Sequence, residues 1–398
     1  MNANKYHPVD NPEGIVNLCT AENNICTPLL VDRWNNFDVF KPEVDHLTRY
    51  NPIGGYPSTK DAIRSYFKRI LNADVENDEL VMTASTKTGY DVVCYCLFEP
   101  HDILLTNSPV YAGTLANCED RAECHVEVVE TDLSNPKLEI SKFEAALEEH
   151  TRKDNVVRGI VIINPHNPLG VVFPAHDIIA LCNWATSKNL YVIIDEVFAN
   201  CNYKASDFKS FLTFRKKLDQ PKNVAYLWSV SKDFGLPGLK FAVIHSENEN
   251  LCKAASKLDL YNPCSCLVQD SVVRLINDEE WVKSFHAEVN RRLALHADYV
   301  TKNLKNLEIP YVNPVAGVTV FADFSKHLES KSEDGELALF ENMALGGVML
   351  TPGQHMKCLH YGWFRIVFSC SKEELVTGIE RLYTILNSTK KSVGSIKY

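Results

Sequence analysis

The chain has 398 residues, of which 45% are hydrophobic and 23% charged, enough for two domains with their own cores. A formal net charge of −10 excludes a binder of nucleic acid or of anionic membrane, since neither phosphate-rich surface attracts it. No run of 18 apolar residues and no basic leader with an apolar stretch occurs, so the protein is expected in the cytoplasm.

In chain order, residues 1–40 read as an Asn- and Pro-containing arm with little periodicity, expected to join a small domain. A large domain is expected over 41–285. Its first helix, Asp61–Leu71, places Ile63, Tyr66, Phe67 and Ile70 on one face. Seven apolar, β-rich runs follow at Glu79–Thr83, Ile103–Thr106, Val126–Val129, Gly159–Ile163, Leu190–Ile194, Val224–Trp228 and Phe241–His245. Helical patterns separate several of them, including Thr88–Leu97, Ser141–Glu149 and Ala175–Lys188. Continuous apolar runs alternating with helices predict an α/β fold with a mostly parallel seven-stranded sheet, sandwiched by helices. A smaller α+β domain is expected over 286–398. It would begin within the long helical stretch Glu279–Leu307, continue through short strands around Val318–Asp323 and Phe364–Phe368, and close with the helix Lys372–Leu386.

Thirteen cysteines, an odd number lying mostly in apolar segments, suit reduced buried thiols better than a disulfide framework. Their spacing gives no zinc set. No two glycines are separated by one residue, so the dinucleotide fingerprint is excluded, and no Gly-x-Ser-x-Gly elbow or phosphate loop occurs.

The chemistry-bearing residues cluster at strand ends, where parallel sheets place their ligands. Lys232 follows the apolar run Val224–Trp228 in Ser229-Val-Ser-Lys-Asp-Phe-Gly-Leu-Pro-Gly238. A lysine buried there loses its proton more readily than a solvated one and can attack a carbonyl, which suggests a Schiff base with pyridoxal phosphate (PLP). Asp195 ends Leu190-Tyr-Val-Ile-Ile-Asp, a strand too apolar to be exposed, so the carboxylate needs a cation such as a pyridinium nitrogen; capping a helix is the alternative. Asn167, in Asn164-Pro-His-Asn-Pro-Leu-Gly170, could donate to a ring oxygen or simply make a turn. Ser85-Thr86-Lys87 lies between strand and helix and offers backbone N–H groups to an anion. Tyr111 could stack on a ring or fill the core. Arg365 is a fixed cation inside the apolar Trp363-Phe-Arg-Ile-Val367, and its fork suits an α-carboxylate.

In this order, Tyr56, Ser85–Lys87, Tyr111, Asn167, Asp195, Lys232 and Arg365 resemble the fold-type-I PLP enzymes, the class I/II aminotransferases. The loops around Asn167 and Lys232, with Thr20-Ala-Glu22-Asn23, look most like the 1-aminocyclopropane-1-carboxylate synthase branch. Pro109-Val-Tyr-Ala-Gly-Thr114 looks closer to the aminoadipate/kynurenine transaminases. The resemblance implies that Lys232 carries the Schiff base and shuttles the α-proton, Asp195 pairs with the ring nitrogen, Asn167 holds the ring oxygen and Tyr111 stacks. It also implies that Ser229, Ser231, Lys240, Thr86 and Lys87 hold the phosphate. Arg365 and Glu22 would meet substrate, and Tyr56 would reach a partner's site in a homodimer. No metal is implied. The reaction implied is aminotransferase-type chemistry on a free amino acid, with a 2-oxo acid as possible co-substrate. Cyclopropane synthesis, carbon–sulfur elimination and a catalytically silent PLP-binding protein are the alternatives. Three positions depart from the family: Phe198 for the usual tyrosine, Lys240 for the usual arginine, and Lys87 for Thr or Ser.

Overall fold

A computed structural model describes residues 4–36, 38, 41–205 and 207–393, with side chains to 387. Residues 1–3, 37, 39 and 40 of the arm and 394–398 of the C-terminal segment lie outside the described residues.

Seven strands form the central sheet. Their spatial order is Leu80–Thr83, Ala242–His245, Val224–Ser229, Tyr191–Asp195, Val157–Ile163, Ile103–Asn107 and His125–Val129. Ala242–His245 runs antiparallel to both neighbours, and every other pairing is parallel. The expected runs all become strands; those inside the sheet are covered on both faces, with Val224–Ser229 buried throughout, while the edge strand His125–Val129 leaves His125 and Glu127 exposed. Register then aligns the strand ends: Ile163 lies opposite Asp195, and Asp195 opposite Leu227. The loops that follow, carrying Asn167, Phe198 and Lys232, therefore leave the sheet side by side. Successive strands fill the sheet in opposite directions from Val157–Ile163, which is where such folds open a crevice.

Two helices begin earlier than their periodicity indicates, each for a local reason. Pro57–Ile70 starts at its proline, whose fixed φ and missing N–H suit a first helical position. Thr86–Leu97 starts behind Ser85, whose Oγ accepts the Thr88 N–H at 3.1 Å. The 28-residue helix Glu279–Asn306 buries Phe285, Val289, Leu293, Val300 and Leu304 along one stripe. Beyond it, Thr351–Pro352, Trp363–Val367 and Thr319–Asp323 make an antiparallel sheet.

The N-terminal arm is more regular than its sequence suggests. Val16–Asn17 pairs in parallel with Val348–Met349, and Thr27–Asn36 is a ten-residue helix. That helix buries only Leu30 and Arg33, too few positions to show a period in the sequence. Between the two, residues 19–24 cross the ends of the central strands. Gly235, at φ +66°, permits this crossing, because a Cβ there would sit 2.2 Å from the Asn23 carbonyl oxygen. Among the described residues no helix is long and apolar enough to cross a membrane.

Candidate active site

A cavity of about 380 Å³ opens where the central strands end. Of the residues singled out in the sequence, Thr86, Lys87, Tyr111, Asn167, Asp195, Ser231, Lys232, Lys240 and Arg365 line it. Phe198 lines it as well and is itself almost wholly buried.

Lys232 stands in a short helix, Val230–Asp233, capped by Ser229. Its Nζ donates to the Ala21 carbonyl at 2.6 Å, and its own carbonyl accepts from Asn23 Nδ2 at 2.8 Å. Burial pushes its ammonium below the ordinary lysine range, against the opposing charge of Glu22. Asp195 is buried at the sheet end; its Oδ1 accepts from the Val197 N–H at 2.9 Å and its Oδ2 from the Tyr90 hydroxyl at 3.0 Å. Loss of solvent raises its carboxyl to about 6, while those two donors and the Lys232 charge oppose the rise.

Arg365 is 5% exposed and has no carboxylate in salt-bridge reach among the described residues. Its Nη1 donates to Asn167 Oδ1 at 3.2 Å; its Nη2 donates to the Cys19 carbonyl at 2.5 Å and to Thr351 Oγ1 at 3.1 Å. Its Nε, buried, finds no partner. A buried cation held only by neutral acceptors is costly, and that cost is relieved by an anionic ligand. Thr86 Oγ1 is a second buried polar atom left without a partner on the cavity wall.

Other expected residues stand apart. Ser229 is fully buried outside the cavity lining, and its Oγ accepts the Ser231 N–H at 3.4 Å. Glu22 is exposed, with Oε2 accepting from Asn24 Nδ2 at 3.1 Å, while its neighbours Cys19, Thr20 and Ala21 form the wall. The Tyr56 hydroxyl donates to Asn51 Oδ1 at 3.0 Å and its ring stacks on His46, away from the cavity of its own chain. The Lys87 ammonium reaches outward to Asp120 at 3.3 Å. Lys240 is exposed and holds a left-handed backbone, φ +61°.

Sequence reasoning missed Tyr90, Asn117 and Cys19 on the cavity wall. Tyr90 follows Thr86 by four residues, hence shares its helix face, and that spacing was the available signal. Cys19 is placed by the arm's crossing and leaves no local mark.

The family model for aminotransferase class I and II matches residues 23–382. The chain belongs to this family. Among curated relatives of this aminotransferase-family chain, the mouse "probable inactive 1-aminocyclopropane-1-carboxylate synthase-like protein 2" is 28% identical over 98% of the chain and 69% of that protein. The pufferfish (Takifugu rubripes) 1-aminocyclopropane-1-carboxylate synthase-like protein 1 is 27% identical, and the chain spans 64% of its length. The Prunus mume 1-aminocyclopropane-1-carboxylate synthase 1 is 27% identical over 98% of the chain and 82% of that protein. These relatives side with the synthase-like branch within the family. For the fold, the aromatic aminotransferase of Pyrococcus horikoshii superposes with a TM-score of 0.81 at 18% identity, covering 96% of this chain and 98% of that one. The Thermus thermophilus aspartate aminotransferase with maleate gives 0.76 at 19% identity, over 93% and 91%.

Proposed function

We propose that the chain is a PLP-dependent enzyme acting at the α-carbon of a free amino acid, with aminotransferase-type chemistry as the leading reading. One observation carries this: a half-buried amine, a buried carboxylate and a buried guanidinium with no counter-ion among the described residues converge on a single cavity. The residues fit the cofactor. Asp195 is a buried carboxylate suited to a pyridinium nitrogen. Thr86 Oγ1 and the start of the Thr86–Leu97 helix suit a phosphate, with Ser231 and Lys240 beside them. Lys240 contributes a point charge where an arginine would give a fork. Asn167 and Tyr111, both on the cavity wall, suit the ring oxygen and a ring face.

When bound, PLP withdraws electrons from the substrate's α-carbon. The chain's own residues do the rest. Arg365 fixes the substrate carboxylate, so that the α-carbon faces Lys232. Nζ of Lys232, its proton affinity reduced by burial, takes a proton at that carbon and returns one. Residues 19–21 form one wall of the cavity. Tyr56 is itself buried against His46 outside its own chain's cavity, but Val44, Leu47, Tyr50 and Ile53 near it in sequence, with Leu260 and Tyr261, are exposed, and these apolar residues support a homodimer.

The relatives' names favour a second reading, a 1-aminocyclopropane-1-carboxylate synthase-like or carbon–sulfur lyase reaction. The mouse relative's name favours a third, a silent PLP-binding protein. A panel of amino acids added to the purified holoprotein separates the three. A spectral shift with 2-oxo acid formed supports transamination; thiol, ammonia or a cyclopropane product supports the second reading. A chromophore that responds to no amino acid supports the third. Arg365→Lys is expected to weaken substrate binding by roughly 1.5–3 kcal/mol, since an ammonium cannot reproduce the two-pronged contact. Titration of the spectrum with amino acid measures it, and an unchanged midpoint places the carboxylate elsewhere.

A further inference from the structure

Tyr90 has no role in the reading above, yet it touches the site's central carboxylate. It projects from the helix Thr86–Leu97, is 1% exposed, and its ring packs in the apolar cluster with Val93, Cys118 and Leu227. A phenylalanine would fill that space without a polar atom to satisfy. The hydroxyl instead ends on Asp195 Oδ2, and Asp195 is the one acidic side chain lining the cavity among the described residues. The Val197 N–H holds the other carboxylate oxygen, so the two donors fix the plane of the group.

We propose that Tyr90 is a positioning residue acting through Asp195: its phenol holds the carboxylate ionised and oriented for the cofactor's ring nitrogen. The inference rests on the PLP-enzyme reading. It also gives meaning to Phe198. The phenol absent at 198, where it would address the ring oxygen, has a counterpart at 90 that addresses the ring-nitrogen partner. A donor to the ionised form lowers a carboxyl's proton affinity, so removing Tyr90 raises it. The groups facing Asp195 are Tyr90 from the Thr86–Leu97 helix, Lys232 from the Val230–Asp233 helix, and the Val197 N–H from its own turn; Cys118 lies against Tyr90.

The test measures PLP affinity of the apoprotein from pH 5 to 8 by absorbance. For the wild type, affinity should fall as pH drops through the Asp195 range near 6, and Asp195→Asn should lose that limb. Tyr90→Phe should move the limb up by roughly one pH unit, with affinity down about fivefold near pH 6, approaching tenfold at pH 5, and little changed at pH 8. Tyr90→3-fluorotyrosine, a stronger donor of the same shape, should move it down, and decides the matter if the phenylalanine variant does not fold. A loss that is equal at all pH values, or limbs that stay in place, overturns the role for Tyr90 while leaving PLP binding intact. A wild type that binds no PLP at any pH overturns the enzyme reading and this inference with it.

Discussion

Lys232→Ala is expected to abolish covalent cofactor attachment and to reduce turnover by a factor on the order of 10⁴ or more, the upper range for a lost proton-transfer group. Among the described residues, no other lysine on the cavity wall is suited to substitute. Lys87 points outward to Asp120, and Lys240 is exposed on a left-handed turn. The two differ from Lys232 in solvation, which is what gives a lysine its nucleophilicity at neutral pH. Borohydride reduction followed by mass analysis checks this. Cofactor mass still fixed to the Lys232→Ala chain would move the attachment point elsewhere.

Asp195→Asn should retain bound PLP and lose turnover by roughly 100- to 1,000-fold, the scale on which one well-placed electrostatic contact acts. The amide is nearly the same shape, so packing at the sheet end survives and the fold should not change. What it lacks is the charge that keeps a ring nitrogen protonated. If kcat stays within a few-fold of wild type, Asp195 serves the turn after its strand and another group faces the ring.

The sheet was legible in the sequence because its strands are continuous apolar runs, a pattern that burial on both faces requires. Arg365 and Asp195 were legible for the opposite reason: a charge inside such a run must be there for a partner. Tyr90 was hidden because a tyrosine on the apolar face of a helix reads as core, and the ring indeed packs there; only its hydroxyl contact reveals more. The burial of Ser229 was hidden too, since a serine before a short helix can point its hydroxyl to the helix or to a ligand, and the helix takes it. The arm helix escaped because it buries little and draws its order from the surface it lies on.

The crossing of residues 19–24 ties the two extremes of the chain into one site. Cys19 meets Arg365, Ala21 meets Lys232, and Leu18 accepts a hydrogen bond from Val367. Such a site has very high contact order: its closing contacts join positions separated by some 200 to 350 residues. Their loop-closure entropy must be met before any of them forms. The sheet can therefore assemble with Lys232 and Asp195 already in line while the cavity still lacks a wall and its guanidinium. Competence therefore requires the final strand and the first residues of the chain to meet.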